Sequence, residues 1–394
     1  MTAVCQEALF ELGTSEPFGW RARVVATPQT QGIKYAGAKT KLIAPILDHL
    51  DLPSDARVFD AFSGTSRVSQ ALARCGYQVI SSDIAHWAEC FSIAFLEGTD
   101  SSTNFDDLLR HLASLKPQVG WFTERYGGID KGDRLAIAED GTRRVWQAKN
   151  AMRIDAIRDE IDRLHMSRVD QSVALTALIL AADRVDSTVG HYASFLREWS
   201  PRSYGDLNLT MPDLVGSPER RHTVVRGDIR DVLRQMAGGY DAIYLDPPYG
   251  SNNDKMPSSR VRYSAYYNIW TSLVLNDHPE TYGRSNRRVD TSDRFVQNEF
   301  EDFRRHDGTG HFIAYHALAE VLSLVTCDVM VFSYSSEGRI PLPDLMDLLT
   351  GWGRVEKATR IDSRRHVMSS MRWTHDWLKD ETQGLGEYLF RVVR

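Results

Sequence analysis

The chain has 394 residues, a formal net charge of −6, 25% charged and 42% hydrophobic residues, and four cysteines. At roughly 100–200 residues per domain this is about two domains, or one large core with a big insertion, and the near-average composition excludes collagen-like, disulfide-scaffold and largely disordered chains. The longest apolar run, Val173–Ala182, falls short of the ~18 residues of a membrane span; Met1–Trp20 lacks a secretory pattern, and Cys5, Cys75, Cys90 and Cys327 form no C-x-x-C pair, so free thiols in a reducing, cytoplasmic setting are expected.

Residues 1–30 lack periodicity and read as an N-terminal arm. Lys34–Lys41 is a basic, Gly-containing turn leading into a helical pattern of Leu42, Ile43, Ile46, Leu47 and Leu50. Arg57–Phe62 reads as a strand running into Ser63-Gly64-Thr65-Ser66, followed by a helix through Val68, Leu72 and Ala73 that Gly76 ends. Tyr77–Ser82 is the next strand and ends in Asp83. Ile84–Pro218 is mostly helical, with patterns around Phe105–Leu115, Arg144–Leu164 and Ser172–Arg184 and with Arg- and aromatic-rich loops at Trp121–Arg134 and Phe195–Tyr204. A strand follows at His222–Arg226, then Gly227-Asp228, a helix over Ile229–Met236 and an apolar strand, Asp241–Leu245, ending in Asp246-Pro247-Pro248-Tyr249. After a polar stretch to Phe295, the pattern predicts a helix over Gly310–Ser323, a strand over Asp328–Tyr334, a helix over Leu342–Gly351 and strands over Gly353–Ile361 and Glu387–Val393. Strands alternating with helices imply an α/β fold with a doubly wound, mostly parallel sheet. The last two strands leave too little chain for a crossover helix and predict an antiparallel, hairpin-like edge. The stretch 84–221 is too long for a loop and reads as a mainly helical insertion in a domain made of 31–83 and 222–394.

Three motifs carry chemistry. Two successive prolines cannot continue a sheet, and each fixes φ near −65°. The turn Asp246-Pro247-Pro248-Tyr249 therefore holds a carboxylate and main-chain carbonyls rigidly at the carboxyl edge of the sheet, where open α/β sheets bind ligands. An amino group offers two N–H donors to such a pair of acceptors, and the Tyr ring is a face on which a base can stack. In Asp60-Ala61-Phe62-Ser63-Gly64-Thr65-Ser66 a Gly turn lets backbone approach a ligand, and Asp83 is placed to pair with ribose hydroxyls. One Gly does not make the G-x-G-x-x-G fingerprint, so a nucleoside-like cofactor fits better than a dinucleotide. Lys34-Tyr35-x-Gly37-x-Lys39 puts an aromatic and Lys beside a Gly turn, able to cover a cofactor. Read singly, each motif also has a plain structural reading as a turn.

In this order, K-Y-x-G-x-K, F-x-G-x-S after a strand, an acid at the next strand end, a helical insertion, Gly-Asp and D-P-P-Y resemble the DNA adenine methyltransferases whose cofactor motif precedes the target-recognition insert. Ala181–Val185 with Gly190-His191-Tyr192, Phe332–Gly338 and Gly386–Phe390 resemble further segments of that family. The resemblance covers most of Gly32–Arg394. It implies a class I, Rossmann-like methyltransferase fold with an inserted helical target-recognition domain. It further implies transfer of a methyl group from S-adenosylmethionine to the 6-amino group of a flipped adenine in double-stranded DNA, with no metal required. Tyr35, Gly37, Lys39, Asp60, Phe62, Gly64, Thr65, Ser66, Asp83 and Asp228 match cofactor positions, Ser66 standing where the family usually has a second Gly. Asp246, Pro247, Pro248 and Tyr249 match the catalytic turn. Related readings are amino-methylation of cytosine, of an RNA base or of a protein glutamine, and a catalytically inactive DNA-binding relative. Glutamine enzymes favour Asn and cytosine enzymes favour Ser where this chain has Asp246.

An acidic total does not exclude a basic groove, and most basic residues here are Arg, grouped locally. Candidate DNA contacts are Lys34, Arg143, Arg144, Arg197, Arg202, Arg260, Arg262, Arg284, Arg287 and Arg288; any one group also reads as a solvated face. Tyr263–Asn268 with Trp270 reads equally as a DNA-facing aromatic loop or as packing. A lone His191 or His222 reads as structural. The expected state is a monomer, with a cognate restriction endonuclease as a candidate partner.

Overall fold

In the computed structural model, the described residues are 27–35, 37–193, 196–217, 220–236, 238–250, 263–292, 298–302, 304–362 and 386–394. The arm over 1–26, Arg260, Arg262 and Cys5 lie outside them.

Among the described residues seven strands form the main sheet: β1 (Arg57–Asp60), β2 (Gln78–Asp83), β3 (Thr223–Arg226), β4 (Ala242–Leu245), β5 (Val329–Ser335), β6 (Arg354–Asp362) and β7 (Gly386–Val393). Their order across the sheet is β6-β7-β5-β4-β1-β2-β3. Pairs β1–β2, β2–β3, β1–β4 and β4–β5 are parallel. Strand β7 runs antiparallel to both neighbours, β5 and β6. The hairpin-like pairing expected from the short connection exists, but β7 inserts between β5 and β6, so among the described strands β6 is the outermost on that side. The whole of β4 is buried and only the last residue of β5 is not, as continuous apolar strands covered on both faces must be.

The helices are α1 (Ile43–Leu50), α2 (Arg67–Arg74), α3 (His86–Glu97), α4 (Phe105–Ala113), α5 (Trp121–Tyr126), α6 (Ala148–Arg163), α7 (Arg168–Arg184), α8 (Ile229–Met236), α9 (Tyr263–Tyr266), α10 (Asn268–Leu275), α11 (Ile313–Leu324) and α12 (Leu342–Trp352). One face of the sheet packs Ile229, Leu233, Leu318, Val321, Leu345 and Leu349 from α8, α11 and α12. The other packs Ile43, Leu50, Val68 and Leu72 from α1 and α2. Strands that point the same way and helices on both faces make this a mixed, mostly parallel Rossmann-like sheet with an inserted helical region.

The helical region has its own core, in which α7 is central and buried almost continuously from Ser172 to Asp183. That placement accounts for the apolar run at Val173–Ala182. No described helix is long and apolar enough to cross a membrane. Helix α7 begins earlier than its apolar pattern because the Ser167 side chain accepts from the Asp170 N–H at 3.1 Å. Helix α6 begins later than its pattern because residues 143–147 run extended, with Val145 N–H donating to the Tyr126 carbonyl and Trp146–Gln147 pairing with Gly127–Gly128. Helix α3 packs on β2, β3 and α7 together, and its Trp87, Phe91 and Phe95 belong to the same apolar cluster as α7. Tyr267 and Trp270 are fully buried there too, so of the two readings of that aromatic segment, packing holds for them.

Candidate active site

The carboxyl ends of β1, β2 and β4 open into one cavity of about 510 Å³, as parallel order requires of the crevice beyond the strand ends. Among its walls are Tyr35, Gly37, Lys39, Asp60, Phe62, Gly64, Thr65, Asp83, Asp228 and the whole Asp246–Tyr249 turn. Residues separated by more than 200 positions are thereby brought to one place.

One side of the cavity is formed by the turn after β1 and the end of β2. After β1 the chain turns through Gly64 at φ 47, a left-handed conformation that favours glycine. The Gly64 N–H donates to Asp83 Oδ2 at 2.9 Å, and the Ala85 N–H donates to Asp83 Oδ1 at 2.9 Å. Burial raises the Asp83 carboxyl, and these backbone donors oppose the rise. Asp60 is fully buried, accepts from Ser69 Oγ at 2.6 Å through Oδ2, and has no partner for Oδ1 among the described residues. Burial pushes its carboxyl up to about 7. Both oxygens of Asp228 receive the Arg230 guanidinium at 2.9 Å, which holds that carboxyl below the usual range.

Ser66 differs from expectation. Its φ is 59, so the backbone keeps the left-handed shape that a glycine would take. Its side chain turns away from the cavity, is fully buried, and meets Ser92 Oγ at 2.7 Å. Ser92 also meets Ser81 Oγ at 2.9 Å, and Ser81 meets Ser69 at 3.1 Å. A chain of buried hydroxyls thus links Asp60 to the turn from beneath, and Ser66 does not line the cavity.

The other side holds the D-P-P-Y turn. Lys39 Nζ lies 3.0 Å from Asp246 Oδ1 and 2.5 Å from Glu387 Oε1 on β7. Burial raises the Asp246 carboxyl, Lys39 lowers it and Glu387 raises it again. The Tyr249 carbonyl accepts from the Arg339 N–H at 2.7 Å, and the Tyr249 ring packs edge-on to Tyr334 at 5.9 Å. The Phe332–Gly338 segment noticed in the sequence therefore supports this turn from β5. Gly37 has φ 84, and a Cβ there would lie 3.0 Å from Tyr263 Oη and 3.4 Å from Tyr249 Oη. Tyr35 stacks on Tyr267 at 4.5 Å and on Tyr263 at 5.5 Å.

Several cavity residues were not read from sequence. Ile84, directly after Asp83, is 65% exposed, an apolar side chain offered to the cavity. Its position after a strand-end acid was a usable signal. Phe300 meets the Phe62 ring edge-on at 5.6 Å, and Arg230 reaches the cavity with no local pattern to announce it; Tyr263 and Glu387 lie in the Tyr263–Asn268 and Gly386–Phe390 segments noticed in the sequence, but were not singled out there as site residues.

The basic candidates separate. Arg143 is buried, with Nη2 3.4 Å from the Ser187 carbonyl, and burial lowers its guanidinium to about 10. Arg288 is buried between Asp277 and Asp290, at 2.7 Å from each. Arg202 pairs with Asp186, Lys34 pairs with Asp183 and Asp186 at 3.2 Å, and Arg144 donates to the Glu124 and Arg125 carbonyls at 2.8 Å. These groups are engaged in fold contacts, Arg143 and Arg288 as buried side chains and Lys34, Arg144 and Arg202 as partly exposed ones. Arg197 and Arg284 are exposed, and Arg287 lies over the Tyr282 ring at 4.8 Å. His222 Nδ1 accepts from the Val79 N–H at 3.1 Å, and His191 stacks on Tyr266 at 4.4 Å.

A parallel sheet with the order β3-β2-β1-β4-β5, an acid at the end of β2 and a D-P-P-Y turn at the end of β4 define a Rossmann-like methyltransferase. The model of the D12 class N6 adenine-specific DNA methyltransferases matches residues 35–307, and the chain belongs to that family. It is 24% identical over 330 residues to modification methylase LlaI of Lactococcus lactis subsp. lactis, covering 80% of this chain and 48% of that protein. It is 24% identical over 384 residues to type II methyltransferase M.FokI of Planomicrobium okeanokoites, covering 92% and 53%. The chain thus spans about half the length of these two relatives. Against type II methyltransferase M.CviAII of Paramecium bursaria Chlorella virus 1 it is 24% identical over 345 residues, covering 84% of this chain and 92% of that protein.

Proposed function

We propose that this protein methylates the exocyclic 6-amino group of a flipped adenine in double-stranded DNA, with S-adenosylmethionine as the donor. The observation that carries the reading is the sharing of one cavity by Asp83, Gly64 and the Asp246–Tyr249 turn. The residues fit the donor. Asp83 retains lone pairs for ribose hydroxyls, Ile84, Phe62 and Phe300 offer apolar surface to a purine, and the unpartnered Asp60 Oδ1 is an acceptor for an ammonium group. Tyr35, Lys39, Thr65 and Asp228 complete the proposed cofactor site.

The amino group lies inside the duplex, so the base must be extruded into the cavity. Asp246 and the Pro247 carbonyl accept the two amino hydrogens and turn the nitrogen lone pair away from the ring plane. Pro248 keeps the turn rigid. Tyr249 stacks on the base, a contact worth roughly 1–3 kcal/mol. S-adenosylmethionine, when bound, supplies an electrophilic sulfonium methyl. The protein's part is orientation and fixed electrostatics. Sequence readout falls to the insertion over 84–221 and to the segment after the catalytic turn, with Arg197, Arg284 and Arg287 as the basic contacts. The proposal extends to a cytoplasmic monomer and, because LlaI and StsI are named modification methylases, to a cognate restriction endonuclease.

Labelled S-adenosylmethionine and DNA, followed by digestion, test the reading. Label in N6-methyladenine is expected; label in cytosine, in RNA only, or nowhere overturns it. Asp246→Ala is expected to cut the rate about 100-fold or more while cofactor binding persists, and a wild-type rate in that variant refutes the role of Asp246.

A further inference from the structure

We propose that Glu387 is a positioning residue for methyl transfer, holding the Lys39 ammonium off the catalytic carboxylate so that Asp246 keeps acceptor capacity for the adenine amino group. This rests on the function proposed above.

Lys39 is only 5% exposed, so its charge must be met by protein groups. Two carboxylates meet it. Its Nζ is 2.5 Å from Glu387 Oε1 and 3.0 Å from Asp246 Oδ1. The shorter contact goes to Glu387. The contact to Asp246 is the longer of the two by half an ångström. Glu387 is itself fixed, because Ser333 Oγ on the neighbouring strand β5 donates to Glu387 Oε1 at 2.5 Å, and Glu387 and Ser335 are register partners across the β7–β5 pair. Ser333 is fully buried. A sheet contact therefore sets where the ammonium sits.

Without Glu387, Lys39 has one carboxylate left. The ammonium would move fully onto Asp246, occupy its lone pairs and make the carboxylate a weaker acceptor. Because Glu387 raises the Asp246 carboxyl and Lys39 lowers it, the same change moves the Asp246 titration to lower pH. Transfer uses the ionised carboxylate, so the acid limb of the rate profile follows that titration.

Glu387→Gln separates this role from a structural one. The expected result is a fall in kcat of about 10-fold or more, with the dissociation constant for S-adenosylmethionine within about 2-fold of wild type and the acid limb of kcat displaced to lower pH. Ser333→Ala, a smaller perturbation of the fold, should displace the limb in the same direction with a loss of a few-fold. A loss of rate with the acid limb unmoved in both variants overturns the proposal, as does an unchanged kcat in Glu387→Gln. The carbon-13 shift of the Asp246 carboxylate, followed against pH in the protein without DNA, reads the same coupling without turnover. It should titrate lower in Glu387→Gln, and an unmoved titration overturns the proposal even if the wild-type protein fails to label adenine, which would refute the function alone.

Discussion

Asp83→Asn is the sharpest test of the nucleoside side of the cavity. In the wild-type protein the two carboxylate oxygens each take one backbone N–H at 2.9 Å, from Gly64 and Ala85, and the residue lines the cavity. An amide keeps the shape but has a single acceptor oxygen, and its NH2 must confront one of those N–H donors. Hydrogen bonds to a charged acceptor contribute roughly 1.5–3 kcal/mol each. Losing one charged contact to a ribose hydroxyl should therefore weaken S-adenosylmethionine binding about 10- to 100-fold. Stability should change less, because two effects oppose. One backbone donor is left unmet, but the buried charge whose cost raises the Asp83 carboxyl is also removed. Calorimetric titration of the free protein measures the affinity, and thermal unfolding without ligand measures the second quantity. Asp228→Asn serves as the comparison: both Asp228 oxygens are already taken by Arg230, so its effect on affinity should be the smaller. Wild-type affinity in Asp83→Asn would refute the assignment of the acid at the end of β2 to the cofactor.

DNA affinity should fall as salt rises, and the double substitution of Arg197 and Arg284 by Ala should reduce the slope of log K against log salt by about two; an unchanged slope in a filter-binding or anisotropy series would remove both from the interface. His49 gives a pH prediction for stability. It is buried, with Nδ1 2.8 Å from the Pro45 carbonyl and Nε2 3.2 Å from Thr359 Oγ1, and burial lowers its pKa to about 4. A histidine depressed in the folded state binds its proton more readily once unfolded, so its contribution is present above the unfolded pKa near 6.5 and is lost as pH falls towards 4. The loss is up to about 3 kcal/mol. Denaturant unfolding of wild type and His49→Gln from pH 7 to 4 should converge as the solution becomes acidic; parallel curves would contradict the assignment.

The parts of the site that could be read from sequence are those whose chemistry and geometry sit in the same short segment. The Asp246-Pro247-Pro248-Tyr249 turn carries its rigidity in its own prolines, and Gly64 and Asp83 mark strand ends that a parallel sheet must bring together. Ser66 shows the limit of that logic. The backbone takes the left-handed shape a glycine would take, but a serine is retained because Ser92 waits beneath it, 26 positions away, and no local pattern reveals that partner. The arginines show the same limit on a larger scale. The fold contacts of a guanidinium come from residues outside its own segment: Ser187 for Arg143, Asp186 for Arg202 and, across a turn, Asp277 for Arg288. The net charge of −6 says nothing about where the charges meet. Asp186 is shared by Arg202 and Lys34, and Arg288 lies between Asp277 and Asp290. Glu387 shows the same limit: it lies in the closing segment Gly386–Phe390, but its contact with the buried Lys39 ammonium, which under the proposal above spares Asp246, is set by the fold and not by that segment's own pattern.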